Sequence, residues 1–179
     1  MLIEIGGGTR PAALVDIGID PAHPVNAPAQ RAQDTPWVSD EGRIPDGVAD
    51  EVYASHVLEH IPRGPELIAV MNEAWRVLKP GGSFLIVVPL VGFTNPKTRE
   101  GTLVEGWQPY ADPTHVNLWW FPEALYYFGP GWGAHANYGI REWVKLGRFV
   151  DQSTPLELPG TWWTVRENGF EGVARLVKP

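Results

Sequence analysis

"PELIAVMNEAWRVLKPGGSFLIVVP", residues 65–89, decides the fold class. Leu67, Val70, Met71, Ala74 and Leu78 recur at the spacing of one buried helix face, which predicts a helix over 65–78. Pro65 suits the first turn, where an N–H has no partner inside the helix. "KPGG" (79–82) ends it: Pro80 cannot continue a helix, and the glycines permit a reversal. "SFLIVVP" (83–89) is then a nearly unbroken apolar strand, as expected where both faces of a sheet are covered. A helix feeding such a strand is a unit of a layered α/β protein.

Working outward, "EVYAS" (51–55) reads as the strand before that helix, preceded by the turn chemistry of "RIPDGVAD" (43–50). Leu2–Ile5 reads as a short buried strand ending in Gly6, Gly7 and Gly8. "ALVDIGID" (13–20) is a second strand candidate. The proline-rich 21–30 reads as loop, and a weak third strand through "AQRAQD" would end at Asp34. Downstream, residues 90–140 hold Trp107, Trp119, Trp120, Trp132, Tyr110, Tyr126, Tyr127 and Phe128 among frequent glycines and prolines. This reads as an aromatic-rich inserted lobe with one short helix near 122–128. "REWVKLGRFV" (141–150) and "FEGVARLVK" (170–178) read as closing strands, with Asn168-Gly169 as a turn. The expected fold is therefore α/β, with a mostly parallel, Rossmann-like sheet and a C-terminal antiparallel pair. Residues 1–179 are read as a single domain.

Composition bounds the function. A chain of 179 residues with 44% apolar and 20% charged side chains is an ordinary globular composition. A net charge of -7 with no basic cluster disfavours nucleic acid and anionic membranes as partners. There is no cysteine, which excludes disulfides, thiolate chemistry and any Cys-containing zinc site. "MLIEIGGG" lacks the charged start and apolar run of a signal peptide, and the longest apolar stretch is too short to span a bilayer. A cytoplasmic location is expected.

"SHVLEHIP" (55–62) sets His56, Glu59 and His60 in the order H-x-x-E-H. That order matches a zinc-peptidase signature. A peptidase would need a helix through the motif and a third protein ligand. Pro62 stops any such helix one turn later, and no downstream motif supports the metal. The expectation is that no metal is held.

Five stretches in order resemble class I S-adenosylmethionine-dependent methyltransferases, and more narrowly the short ones with an HVLEH…RVLKPGG signature. They are "EIGGG" (4–8), "GIDP" (18–21), "DEVYASHVLEHI" (50–61), "NEAWRVLKPGGSFLIVVP" (72–89) and "DPTHVNLWWF" (112–121). The resemblance covers roughly residues 1–122 and implies S-adenosylmethionine as cofactor. It places Glu4 at the amino group of the cofactor's methionine part and Gly6, Gly7 and Gly8 against the ligand. Asp20 would accept the ribose hydroxyls, Asp34 would reach the adenine amino group, and Ser55 and His56 would form the strand tip beside the transferable methyl. A plain glycine turn and a turn-capping Asp34 are the alternatives for those positions.

For His60 a structural, hydrogen-bonded imidazole is the expectation, with Glu59 orienting the loop. His115 is the candidate general base, with Asp112 orienting it, because methyl transfer to a hydroxyl benefits from an imidazole near neutral pH. A polar pair that pins the aromatic lobe fits those two residues equally. Trp119, Trp120 and Trp132 fit either an acceptor pocket or the core of a small lobe.

The chain also departs from the family. Only eight residues separate Ile5 from Leu14, whereas parallel neighbours ordinarily need a dozen or more. Either strand two starts near Asp16 or the usual helix is reduced to a turn. Residues 21–29 lack a helical pattern as well. The sheet face those helices would cover needs another cover, and the aromatic lobe or a second subunit in a homodimer is expected to supply it. The reading is methyl transfer to a hydroxyl or amine of a small molecule or glycan. The alternative is a catalytically reduced binding or structural module that keeps the fold.

Overall fold

The structure is a computed structural model that describes residues 1–8, 14–89, 112–117, 125, 127–129, 135–143, 163–165 and 171–179. Among these, the strands are β1 (Leu2–Ile5), β2 (Ile17–Ile19), β3 (Val38–Ser39), β4 (Gly42–Arg43), β5 (Ala49–Ser55), β6 (Leu78–Pro89), β7 (Trp163–Val165) and β8 (Glu171–Val177). The helices are α1 (Pro65–Val77) and the short α2 (His135–Tyr138), with a 3-10 turn over Leu58–His60. The main sheet runs β2-β1-β5-β6-β8-β7. Its first four strands are parallel; β8 lies antiparallel to β6, and β7 antiparallel to β8. β3 and β4 form a separate two-stranded hairpin.

The helix read from periodicity is α1, which buries Leu67, Val70, Met71, Ala74 and Val77. It starts at Pro65 behind Gly64 and ends one residue earlier than expected. β6 begins at once, at Leu78, rather than at Ser83. Leu78 pairs with Ala49 and Ser83 with Glu51, so "KPGG" is absorbed as an irregularity within the strand.

Alternation along the strands gives the sheet two unlike faces. Ile3, Ile5, Ile17, Ile19, Val52, Ala54, Phe84, Ile86, Val88, Ala174 and Leu176 share one core cluster with α1. Ala27, Ala32, Trp37 and Ile44 join that core, as do Leu125, Phe128, Ile140 and Trp143. The loop between β2 and β5 therefore supplies cover where a crossover helix is absent. It is anchored by Glu73 of α1, whose Oε1 accepts the Trp37 N–H at 2.7 Å and bonds Arg76 at 2.6 Å. Arg76 in turn donates to the Ile44 carbonyl at 2.7 Å. The opposite face carries Glu4, Glu51, Tyr53, Leu85 and Arg175, of which Tyr53 and Leu85 are half-buried.

Several expected elements differ. β2 spans only Ile17–Ile19, and Leu14 is 85% exposed, so strand two does start late. No strand runs through 29–34: the chain turns there, with the Asp34 N–H donating to the Arg31 carbonyl at 3.0 Å and the Thr35 N–H to the Gln33 carbonyl at 2.9 Å. Arg141–Trp143 is not a strand; the partner of β8 is β7, too short to show a period. Most of the short helix expected near 122–128, the Asn168-Gly169 turn and Trp107, Trp119, Trp120 and Trp132 lie outside the described residues. Among the described residues no helix is long and apolar enough to cross a membrane.

Candidate functional site

The chain passes from β1 outward to β2 and then returns to the other side of β1 as β5. In open α/β sheets ligands bind beyond the carboxyl ends of the strands at such a reversal. Three segments emerge there: Gly6–Gly8 after β1, Asp20 after β2 and His56 after β5.

The first two are laced together. The Gly6 N–H donates to the Ile19 carbonyl at 2.8 Å. Asp20 Oδ2 accepts the Gly8 N–H at 3.0 Å, and Oδ1 accepts Ala22 and His23 at 2.8 and 2.7 Å. Burial works against the Asp20 charge, but the donors Ala22, His23 and Gly8 outweigh it and hold the carboxyl below the ordinary range. A carboxylate has about four acceptor positions, so one remains, on Oδ2. Gly6 and Gly8 adopt φ of 70° and 55°, the left-handed region that glycine enters freely. A Cβ at Gly6 would stand 2.2 Å from Val57, so the close packing of the β1 and β5 tips also requires glycine there. A Cβ at Gly8 would meet nothing within 4 Å among the described residues. Gly7 is half-buried between them, and Glu4 lies on β1 beneath the turn, 4% exposed. Residues 9–13, which follow the turn, lie outside the described residues.

Ser55, half-buried, closes β5 opposite Val87. His56 follows at φ 55°, a conformation costly for a residue with a Cβ and recurrent at functional sites. Its Nε2 lies 2.7 Å from Glu171 Oε1 and its Nδ1 3.4 Å from Glu59 Oε1. Glu171 first, and Glu59 second, push its pKa up to about 9. At neutral pH the ring is therefore held as a cation at the strand tip. Sequence reasoning missed Glu171, whose contact spans 115 positions and leaves no local signal.

A second cluster adjoins His56. The N–H groups of Val116 and Asn117 both donate to the Glu59 carbonyl at 2.9 Å, which docks residues 112–117 on the 3-10 turn. Asp112 Oδ1 accepts the backbone N–H and the hydroxyl of Thr114 at 2.8 and 2.6 Å. Those bonds hold the Asp112 carboxyl below the usual range. Asp112 Oδ2 stands 3.7 Å from His115 Nε2, an ion-pair separation longer than a hydrogen bond. His60 Nδ1 faces the Thr114 carbonyl at 3.2 Å and its hydroxyl at 3.0 Å. The rings of His60 and His115 meet edge to face, with centroids 4.8 Å apart. The peptidase pattern is not built, because His56 turns to Glu171 while His60 turns to Thr114.

Asp34 is not at the site. It sits in an exposed turn with Arg31 donating to both oxygens, at 2.8 Å to Oδ1 and 2.9 Å to Oδ2, and the strand that would have carried it to the cleft is absent. Cavities of about 690 and 720 Å³ flank α1 near Gly139 and do not reach the glycine turn. Strand-tip geometry, not cavity size, locates the candidate site.

The family described as "Methyltransferase domain" matches residues 2–125, more than half of the chain. The chain belongs to that methyltransferase family. No curated protein matches the sequence. Solved structures share the fold across 99% of this methyltransferase domain. One is an S-adenosylmethionine-dependent methyltransferase from Thermotoga maritima, 19% identical, covered over 81% of its length with a TM-score of 0.54. Another is YcgJ from Bacillus subtilis, 18% identical, covered over 91%, TM-score 0.53. A third, an S-adenosylmethionine-dependent methyltransferase from Archaeoglobus fulgidus, is 16% identical, covered over 85%, TM-score 0.56. The fold is thus that of a class I methyltransferase, and two of these solved structures are described as S-adenosylmethionine-dependent. The described residues fit that molecule: none of them crowds Gly8, and among them Asp20 Oδ2 keeps one acceptor position beside it.

Proposed function

We propose that this domain transfers the methyl group of S-adenosylmethionine to a hydroxyl or amine of a small molecule or glycan. The observation that carries the reading is the glycine turn laced to Asp20 at the sheet's reversal point. When bound, the cofactor supplies a sulfonium-activated methyl. The acceptor's lone pair forms the new bond while the carbon–sulfur pair stays with sulfur, and the acceptor loses a proton. The chain's part is to align the two reactants, the main source of acceleration in such a displacement. Asp20 Oδ2 would take a ribose hydroxyl, Gly6–Gly8 would admit the ligand against the backbone, and Glu4 would face the methionine amino group. His115 would accept the proton, with Asp112 beside it. The net charge of -7 supports a small acceptor over a polynucleotide.

Calorimetry with S-adenosylmethionine and S-adenosylhomocysteine tests the donor half. Saturable binding is expected, weakened at least tenfold by Asp20→Ala and abolished by Gly6→Val, whose side chain would collide with Val57. Absence of binding by the folded wild-type protein would remove the reading. Release of S-adenosylhomocysteine over a panel of metabolites and glycans then identifies the acceptor. One observation favours a reduced, non-catalytic module instead: Asp20 already spends three acceptor positions on its own backbone. Tight binding without turnover on any acceptor would select that alternative.

We also propose a cytoplasmic homodimer, supported by the half-buried Tyr53 and Leu85 on the second sheet face. Light scattering at twice 19.8 kDa is the expected result, and a strict monomer overturns it.

A further inference from the structure

Glu59 is 1% exposed, and neither of its carboxylate oxygens has a hydrogen-bond partner. The contact with His56 Nδ1, at 3.4 Å, is an ion pair without hydrogen-bond geometry. Buried carboxylates ordinarily accept hydrogen bonds or bind a metal as well as pairing, and among the described residues the Glu59 carboxylate has the His56 ion pair alone. Two imidazoles converge on it. One ligating atom each from Glu59, His60 and His115 lie within 4.8 Å of one another.

We propose that Glu59, His60 and His115 bind a divalent transition-metal ion of the zinc class. The donor set is two imidazoles and one carboxylate, which suits zinc and not magnesium, an ion that favours oxygen ligands. The outer contacts fit as well. The Thr114 carbonyl receives the proton of His60 Nδ1, which leaves the Nε2 lone pair free to ligate; metal-bound histidines are typically fixed in this way. Residues 112–117 are docked on the Glu59 carbonyl by two backbone bonds, so the third ligand, His115, is brought by a rigid segment. Ligand bonds of roughly 2.0–2.2 Å require the three atoms to draw together from their present spread. His60 is exposed and free to make that adjustment.

Three protein ligands leave a fourth position open, as in zinc sites that act on a substrate. The ion would sit beside the β5 tip. With an ion bound, the His115 lone pair is spent, and the ion rather than the imidazole would acidify an acceptor hydroxyl. That role rests on the methyl-transfer reading above; the binding does not.

The test uses the full chain, stripped with chelator and titrated with zinc chloride alone, and in parallel with magnesium chloride. One equivalent of zinc is expected to bind saturably and to raise the melting temperature, with no comparable magnesium effect. His60→Ala and Glu59→Gln should each weaken zinc binding at least tenfold, and His23→Ala, an exposed histidine outside the cluster, should not. Should the buried Glu59 variant fail to fold, the exposed His60 variant carries the test. No one-equivalent zinc uptake by the wild type, or equal uptake by His60→Ala, overturns the proposal. Titration with S-adenosylmethionine in the absence of zinc reports the donor site separately, so the two failures are distinguishable.

Discussion

Ionised Asp20 accepts the N–H groups of Ala22, His23 and Gly8, so its charge and the local fold depend on each other. Its folded-state pKa is depressed, so the stability it contributes is present above the ordinary carboxylate value of about 3.9 and is lost as pH falls through the lowered value. Asp20→Asn removes that dependence. It keeps one carbonyl acceptor, turns an amide donor toward backbone donors, and should cost about 2 kcal/mol at pH 7. Urea denaturation at a series of pH values should show the wild-type advantage shrinking below pH ~4. An advantage constant down to pH ~2 would contradict the assignment. The place of Asp20 at the tip of β2 was legible in the sequence because it ends an apolar run. The strand expected to end at Asp34 is absent because the Asp34 N–H turns back to the Arg31 carbonyl. The Glu171 clamp on His56 was illegible, since only the tertiary fold brings β8 to the β5 tip.

At the scale of elements, α1 and β6 were legible because their signals are local: a buried stripe of period 3.6 and a continuous apolar run. β3, β4 and β7 span two or three residues each, too few for any period. The cover over Ile17 and Ile19 was illegible for a further reason. It is a loop, and it is held by a buried polar anchor rather than by an apolar stripe. Glu73, 6% exposed, bonds the Trp37 N–H and Arg76 at once. Glu73→Ala should strand the Trp37 N–H and take one of two carboxylates from Arg76, which keeps Asp46, and cost about 2–3 kcal/mol, the range for a buried donor left without its partner. Asp34→Ala, which breaks the exposed Arg31 pair, should cost less than about 1 kcal/mol. Chemical denaturation of both variants checks the contrast; equal losses would mean that the loop is not anchored through α1.

Across the whole molecule, the segments assigned to the cofactor leave the tips of β1, β2 and β5, three adjacent strands of one sheet. The strands are short, and β2 pairs through only three residues. The connection between β1 and β2 is shorter than the dozen or more residues that parallel neighbours ordinarily need. A ligand that bridges Gly6–Gly8, Asp20 and the β5 tip therefore adds ties the reduced fold lacks. At a hundredfold excess over its dissociation constant, S-adenosylmethionine should stabilise the folded state by about 2.7 kcal/mol. For a chain of this size that raises the melting temperature by roughly 5–10 °C. The gain should be local in hydrogen exchange, concentrated in residues 2–8, 17–23 and 52–57, while α1, already packed by Val70, Met71 and Ala74, changes little. Protection spread evenly over α1 and β8, or centred on the cavities beside α1 near Gly139, would place the cofactor elsewhere and remove the strand-tip site. Cofactor-dependent protection confined to the three tips would also explain how so short a connection persists: the ligand completes that edge of the sheet.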